Sequence, residues 1–311
     1  MKASLGLCLA GLLLALPARA SVYSVTVAGL VGEPDYEQRF TSGATDLDKL
    51  LKAAGADVHV YTLTGAAATR ARLTQVLGQI AKEAKPEDDF VLILIGHGSF
   101  DGVEYKFNLV GPDVSAAELA DLCNRVPARR QLIVNTTSAS GGSVAALQRA
   151  GRAVIASTKS GTEKNATVFA RYWVAALQDP SADVDKSEST SALEAFQYAD
   201  RKTAEFYTAQ KRLATEHAVF EDTGKGAPVR APSAESSEGR LLASLILVRS
   251  GDTQKAAFDS TKRDLLAKKE DFERQIDVLK YQQAAMTQTD YEQQLRTLLV
   301  GLARVQAALD K

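Results

Sequence analysis

The chain predicts an α/β fold: a mainly parallel sheet with helices on both faces, followed by a C-terminal helical hairpin. Three observations carry this. Strand-like apolar runs alternate with segments of helical period from Val22 to Ala156, the order that gives parallel strands joined by right-handed crossovers. One of those runs, Phe90-Val91-Leu92-Ile93-Leu94-Ile95, is unbroken by polar residues, as a strand covered on both faces must be. From Asp252 onward the pattern changes to heptads, the signature of helices that pair.

Taken in order, Val22 to Leu30 reads as the first strand, and Gly32-Glu33-Pro34 breaks it with turn chemistry. A helix is expected from about Thr45 to Ala54, a strand over Asp57 to Leu63, and a helix over Ala66 to Ala84 through Leu73, Val76, Leu77 and Ile80. The charged turn Pro86 to Asp89 opens into the buried strand. Ser115 and Glu118 have capping-box spacing, and Gln131 to Val134 and Ala153 to Ala156 give two more strands. A helix is expected from Ser191 to about Leu213, then a Gly/Pro/Ser-rich connection from Gly224 to Glu238. Leu241 to Val248 is apolar and fits either strand or helix.

In the tail, Leu265, Phe272, Leu279 and Met286 fall seven apart, and Tyr291, Leu295, Leu298, Leu302, Val305 and Leu309 alternate by four and three. Thr289 with Glu292 marks a second helix start, so a hairpin is the economical reading. Its apolar stripe needs a partner, either the other arm or another chain. The expected domains are therefore 1–20 a leader, 21–232 the α/β unit, 233–251 a linker with an apolar segment, and 252–311 the coiled-coil-like hairpin.

The leader has Lys2, an apolar stretch from Leu5 to Leu16, and Ala18-Arg19-Ala20 before Ser21. That is the pattern of a cleavable signal peptide, too short for a stable membrane anchor, and it predicts an exported, periplasmic or extracellular protein. Losing Lys2 and Arg19 moves the formal charge from −1 to −3, which gives nucleic-acid binding no support. Cys123 would then be the sole cysteine, so no internal disulfide can form. It lies among Leu119 and Leu122 on a helix, the setting of a buried, inert thiol.

Open sheets of this kind hold ligands beyond the carboxyl ends of their strands. Two short loops qualify. Gly96-His97-Gly98-Ser99 follows the buried strand, and Asn135-Thr136-Thr137-Ser138-Ala139-Ser140-Gly141-Gly142 follows the next one. The pair Leu94-Ile95-Gly96-His97-Gly98 and Ile133-Val134-Asn135-Thr136-Thr137-Ser138-Ala139-Ser140-Gly141 resembles the clan of caspases and legumain. That clan sets a His-Gly turn after one apolar strand and a Cys-x-Ser-Gly turn after a later one. The resemblance covers about residues 22 to 222, with weaker matches to bacterial legumain-like proteins in Ser160-Gly161-Thr162-Glu163-Lys164-Asn165-Ala166-Thr167 and Thr215-Glu216-His217-Ala218.

The resemblance implies a caspase/legumain-like sheet, His97 as base and acid, Gly98 N–H as oxyanion donor, and position 138 as the nucleophile's. It also implies a substrate pocket touched by Asn135, Ser140 and His217. The departure is serine at 138 where the clan has cysteine. A thiol, with an ordinary pKa of about 8.5, is partly ionised near neutrality, whereas a hydroxyl needs a well-oriented base. Serine peptidases supply that with a third group behind the histidine, and Asp101 and Glu104 are the carboxylates nearest His97 downstream in sequence.

Three functional readings follow. The first is an exported peptidase homologue, impaired in catalysis, that binds a peptide or protein partner and forms a homo-oligomer through its helical tail. The alternatives are an active endopeptidase with a His97/Ser138 dyad, and a structural module acting through the tail. No cofactor is required. Asp183, Asp185, Ser187, Ser189, Ser191 and Glu194 fall at the first, third, fifth, seventh, ninth and twelfth places of a calcium-loop pattern. Glu188 stands where that loop needs glycine, so Asp183, Asp185 and Glu194 are read as a solvated loop capping a helix rather than as metal ligands.

Overall fold

The computed structural model describes residues 20–311 apart from 31, 33 and 234. All of the expected leader but Ala20, and part of the Gly32-Glu33-Pro34 turn, therefore lie outside the described residues. In chain order the elements are β1 (Val22–Ala28), α1 (Pro34–Lys52), β2 (Val58–Leu63), α2 (Arg70–Glu83), β3 (Asp89–Ile95), β4 (Gly98–Phe100), β5 (Tyr105–Phe107), β6 (Val114–Ser115), α3 (Ala116–Asn124), β7 (Arg130–Asn135), α4 (Val144–Leu147) and β8 (Arg152–Ala156). They continue with α5 (Phe169–Ala176), β9 (Ser189–Ser191), α6 (Ala192–Ala209), β10 (Val219–Glu221), α7 (Arg240–Ala243), β11 (Ile246–Arg249), α8 (Gly251–Phe258), α9 (Arg263–Gln282) and α10 (Gln288–Leu309).

The main sheet has the order β10-β8-β7-β3-β1-β2, parallel throughout except for β10, which runs antiparallel to β8. β3 lies between β1 and β7, and all seven of its residues are buried. Its side chains divide by parity. Phe90, Leu92 and Leu94 face the core under α2, α3 and α4, while Val91, Ile93 and Ile95 face the core under α1, α5 and α6. This two-sided burial is why the run carries no polar break.

The capping boxes at Ser115/Glu118 and Ser191/Glu194 are both formed. Three boundaries differ from the sequence expectation. α1 starts well before Thr45, and its first two turns set the half-buried Tyr36 and Phe40 against His97 at the carboxyl edge of the sheet. Leu241 to Val248 is both helix and strand, split between α7 and β11. The start of α10 is capped by Thr287 accepting from Asp290 N–H, not by Thr289 with Glu292. Thr287-x-x-Asp290 offers the same chemistry two residues earlier, and Met286 falls outside α9 as a consequence.

The tail docks on the domain. β11 pairs with β9, and Arg249 bonds Glu270 of α9 at 2.6 and 3.0 Å while reaching the Ala54 carbonyl at 3.2 Å. Lys269 is buried and donates to the Ser187 carbonyl at 2.7 Å. Of the expected stripe Leu279 is buried and Leu265 and Phe272 are half-buried, while Leu266 and Ile276 of α9 are buried beside them. Among the described residues no helix is long and apolar enough to cross a membrane.

Candidate active site

β3 and β7 are parallel neighbours with Leu94 opposite Asn135, so the loops leaving them emerge side by side. Thr136 fastens the second loop to the first strand, its N–H and hydroxyl both donating to the Leu94 carbonyl at 3.0 and 2.7 Å. The loops then touch at one residue. Gly98 N–H donates to Ser138 Oγ at 3.2 Å, and the Ser138 hydroxyl donates to the Gly98 carbonyl at 3.1 Å. A Cβ at position 98 would lie 2.5 Å from the Ser138 carbonyl and 2.6 Å from both Thr137 Oγ1 and Tyr105 Cε2. Only glycine permits this approach.

Ser138 is buried, with 4% of its surface exposed. The residue after it, Ala139, has φ +57°, a left-handed conformation that costs a non-glycine residue about 1–2 kcal/mol. That strain is held by a bond from Ala139 N–H to the Glu163 carbonyl at 2.7 Å. The imidazole of His97 stands edge-on to Tyr36 and Phe40 of α1, with ring centres 4.8 and 5.2 Å away. Its backbone carbonyl accepts from Asn108 N–H at 3.1 Å.

Asn135 and Ser140, expected beside a substrate, are fully buried. Asn135 Oδ1 accepts from Tyr105 OH at 3.2 Å and from the Thr137 hydroxyl at 2.8 Å, and its amide donates to Ser143 Oγ at 3.0 Å. Ser140 Oγ is shared among Ser157 Oγ, Thr158 Oγ1 and Thr158 N–H. Both residues therefore brace the loop from within. Asp101 caps the turn between β4 and β5 by accepting from Val103 and Glu104 N–H at 2.8 Å, and Glu104 faces Lys106. Those carboxylates serve the hairpin.

His217 precedes β10, whose first residue pairs with the last residue of β8, so it lies at the same sheet edge as the two loops. Its Nδ1 sits 2.5 Å from Glu163 Oε1, and its N–H donates to Glu163 Oε2 at 3.2 Å. Glu163 thus connects Ala139 to His217. Glu216, buried beside it, accepts from Val168 and Phe169 N–H at the start of α5 and from Tyr207 OH; burial raises its pKa. Cys123 is buried away from this edge, and burial pushes its thiol up to about 11.

Tyr36, Phe40, Tyr105 and Glu163 also belong to this edge, without a motif of their own in the sequence. Glu163 lay in a segment already matched to legumain-like proteins, and Tyr36 with Phe40 has the i, i+4 spacing of one helix face. Asp183, Asp185 and Glu194 do converge, with one carboxylate oxygen of each within 4.8 Å of the others. Their oxygens accept backbone amides of Ser187, Glu188, Val184 and Ser191, so the loop folds on itself through these carboxylates.

No family model matches the chain, and no curated protein matches it. Among solved structures it is similar to the Drosophila initiator caspase Dronc, with 11% identity over 70% of this chain and 84% of that one and a TM-score of 0.45. It is similar to caspase-1 of Spodoptera frugiperda, at 13% identity, 66% and 86% coverage and a TM-score of 0.45. A protein of Geobacter sulfurreducens gives 14%, 67%, 94% and 0.44.

Proposed function

We propose that the chain is an exported caspase/legumain-like peptidase homologue that holds a peptide segment of a partner at the carboxyl edge of its sheet without cleaving it. The observation that carries this reading is the reciprocal pair of bonds between Ser138 and Gly98. Acyl transfer needs the hydroxyl proton delivered to a base, and it needs an amide donor aimed at the developing oxyanion. Here the proton is given to a carbonyl, and the amide is spent on the hydroxyl itself. A serine that is 4% exposed and bonded in this way is a structural clasp between two loops.

Three features of the edge support a binding role. They are the His97 loop, the strained turn at Ala139 and the Glu163–His217 couple, whose imidazole is partly exposed. To test this, the purified protein is incubated with a proteome-derived peptide library, and both the retained peptides and any new termini are read by mass spectrometry. The proposal expects a retained subset and no new termini. New termini that vanish in both His97→Ala and Ser138→Ala would establish a working dyad instead, and an empty retained fraction would remove the binding role.

A further inference from the structure

Behind His97, between α1 and α5, the surface opens into a cavity of about 570 Å3 with Ile95 of β3 at its base. Its size and mainly apolar lining are those of a small-molecule site. Three aromatic rings, Tyr36, Phe40 and Phe206, share the walls with two guanidiniums, Arg39 and Arg171, and one carboxylate, Asp46. Among the described residues neither guanidinium is in an ion pair. Arg39 lies over the Tyr36 ring at 4.8 Å, with one long bond to the Asp35 carbonyl at 3.4 Å, and Arg171 lies over Tyr172 at 5.4 Å.

We propose that this cavity binds a small anionic amphiphile, an apolar or aromatic body ending in a carboxylate. The aromatic walls would take the body. Two cations against one anion leave the lining positive, and a guanidinium presents paired donors that match a carboxylate's two oxygens. A free acid and the C-terminal residue of a peptide offer the same chemistry. The site is joined to the candidate active site by direct contacts. Tyr36 and Phe40 line the cavity and also flank the His97 ring, and Thr167 in the wall donates to the Thr136 carbonyl at 2.6 Å. A ligand would therefore press on the groups that place His97.

The full chain is titrated with 4-phenylbutyrate and with the neutral 4-phenylbutan-1-ol, and in a second arm with N-acetylphenylalanine and its amide. Binding is read by calorimetry and by the emission of Trp173, the sole tryptophan, which lies in α5 beside the wall residue Val174. The expected result is saturable binding of at least one acid, at least tenfold tighter than its neutral counterpart. A better acid in the first arm points to a free ligand, and in the second to a peptide end. Arg39→Ala with Arg171→Ala should bring the acid down to the level of the neutral compound.

Gly43 lines the cavity, and a Cβ there would stand 3.6 Å from Ile95 and 3.9 Å from Val174, in ordinary contact. Gly43→Leu should fill the space and abolish binding, while Gly43→Ala keeps the fold and retains binding. Equal binding of acids and neutral compounds, undiminished binding in the double arginine variant, or no saturable binding at millimolar ligand would overturn the proposal.

Discussion

At the scale of single residues, the contact between the His97 and Ser138 loops is made by a glycine, Gly98. Any side chain at 98 must push against the Ser138 backbone and the Thr137 hydroxyl at once, and neither gives way cheaply. Gly98→Ala should therefore cost about 1–3 kcal/mol by separating the loops, seen as a lower denaturant midpoint with an unchanged slope. An unaltered midpoint would mean that the loops do not meet at this point. The positions of His97 and Ser138 were legible because small residues closing an apolar strand mark a loop at the ligand edge. The direction of the Ser138 hydroxyl was not, since it depends on a carbonyl forty residues away in sequence. Asn135 and Ser140 misled for a related reason. The resemblance sets them beside a substrate, whereas polar groups that satisfy one another can be buried entirely, as these are.

At the scale of elements, pattern was informative wherever one element decided its own state. The strand β3 and the capping boxes at Ser115 and Ser191 rest on local chemistry that the sequence displays, whereas at α10 the sequence offers two caps two residues apart and the helix uses Thr287. The start of α1 and the division of Leu241 to Val248 rest on packing against other elements, which no window of sequence contains. The helical pair shows this at one position. In α10 a Cβ on Gly301 would lie 2.5 Å from the Phe272 ring of α9, so Gly301→Val should part the two helices and lower their thermal stability with little effect on the sheet. Hydrogen exchange of α9 and α10 against β3 measures the difference.

The docking of α9 also carries a pH dependence. Glu273 faces Lys269 of its own helix, together with Asp185 and Glu270, and its pKa is pushed up to about 7, chiefly by burial. Lys269 opposes that rise, while the two neighbouring carboxylates add to it. The folded value lies above the ordinary glutamate value of 4.5, so the neutral form is favoured in the docked state. The stabilisation is complete below about pH 4.5 and is lost as pH rises through about 7. Melting temperatures of the wild-type protein should fall between pH 5 and pH 8, and Glu273→Gln should flatten that fall. An equal fall in both proteins would place the titration elsewhere.

At the scale of the whole molecule, the sheet separates two edges with different occupants. The tail covers the amino ends of β1, β3 and β7, where Val22, Asp89 and Arg130 share a cavity of about 420 Å3 with Glu270 and Glu273 of α9. The carboxyl edge holds the His97 and Ser138 loops and the Glu163–His217 couple. The parallel order β7-β3-β1 makes this separation, because it sends every loop that follows a strand to one side. Alternating strands and helices made that much legible in advance. Which side the tail would take was hidden, since it is fixed by ion pairs between residues far apart, such as Arg249 with Glu270 and Arg263 with Asp57.

Whether the Ser138 hydroxyl is a clasp or a nucleophile is decided most directly by reaction with a fluorophosphonate. Intact-mass analysis after exposure to excess reagent should show no adduct on the wild-type protein. A stoichiometric adduct on Ser138 that disappears in His97→Ala would show an activated serine and contradict the account.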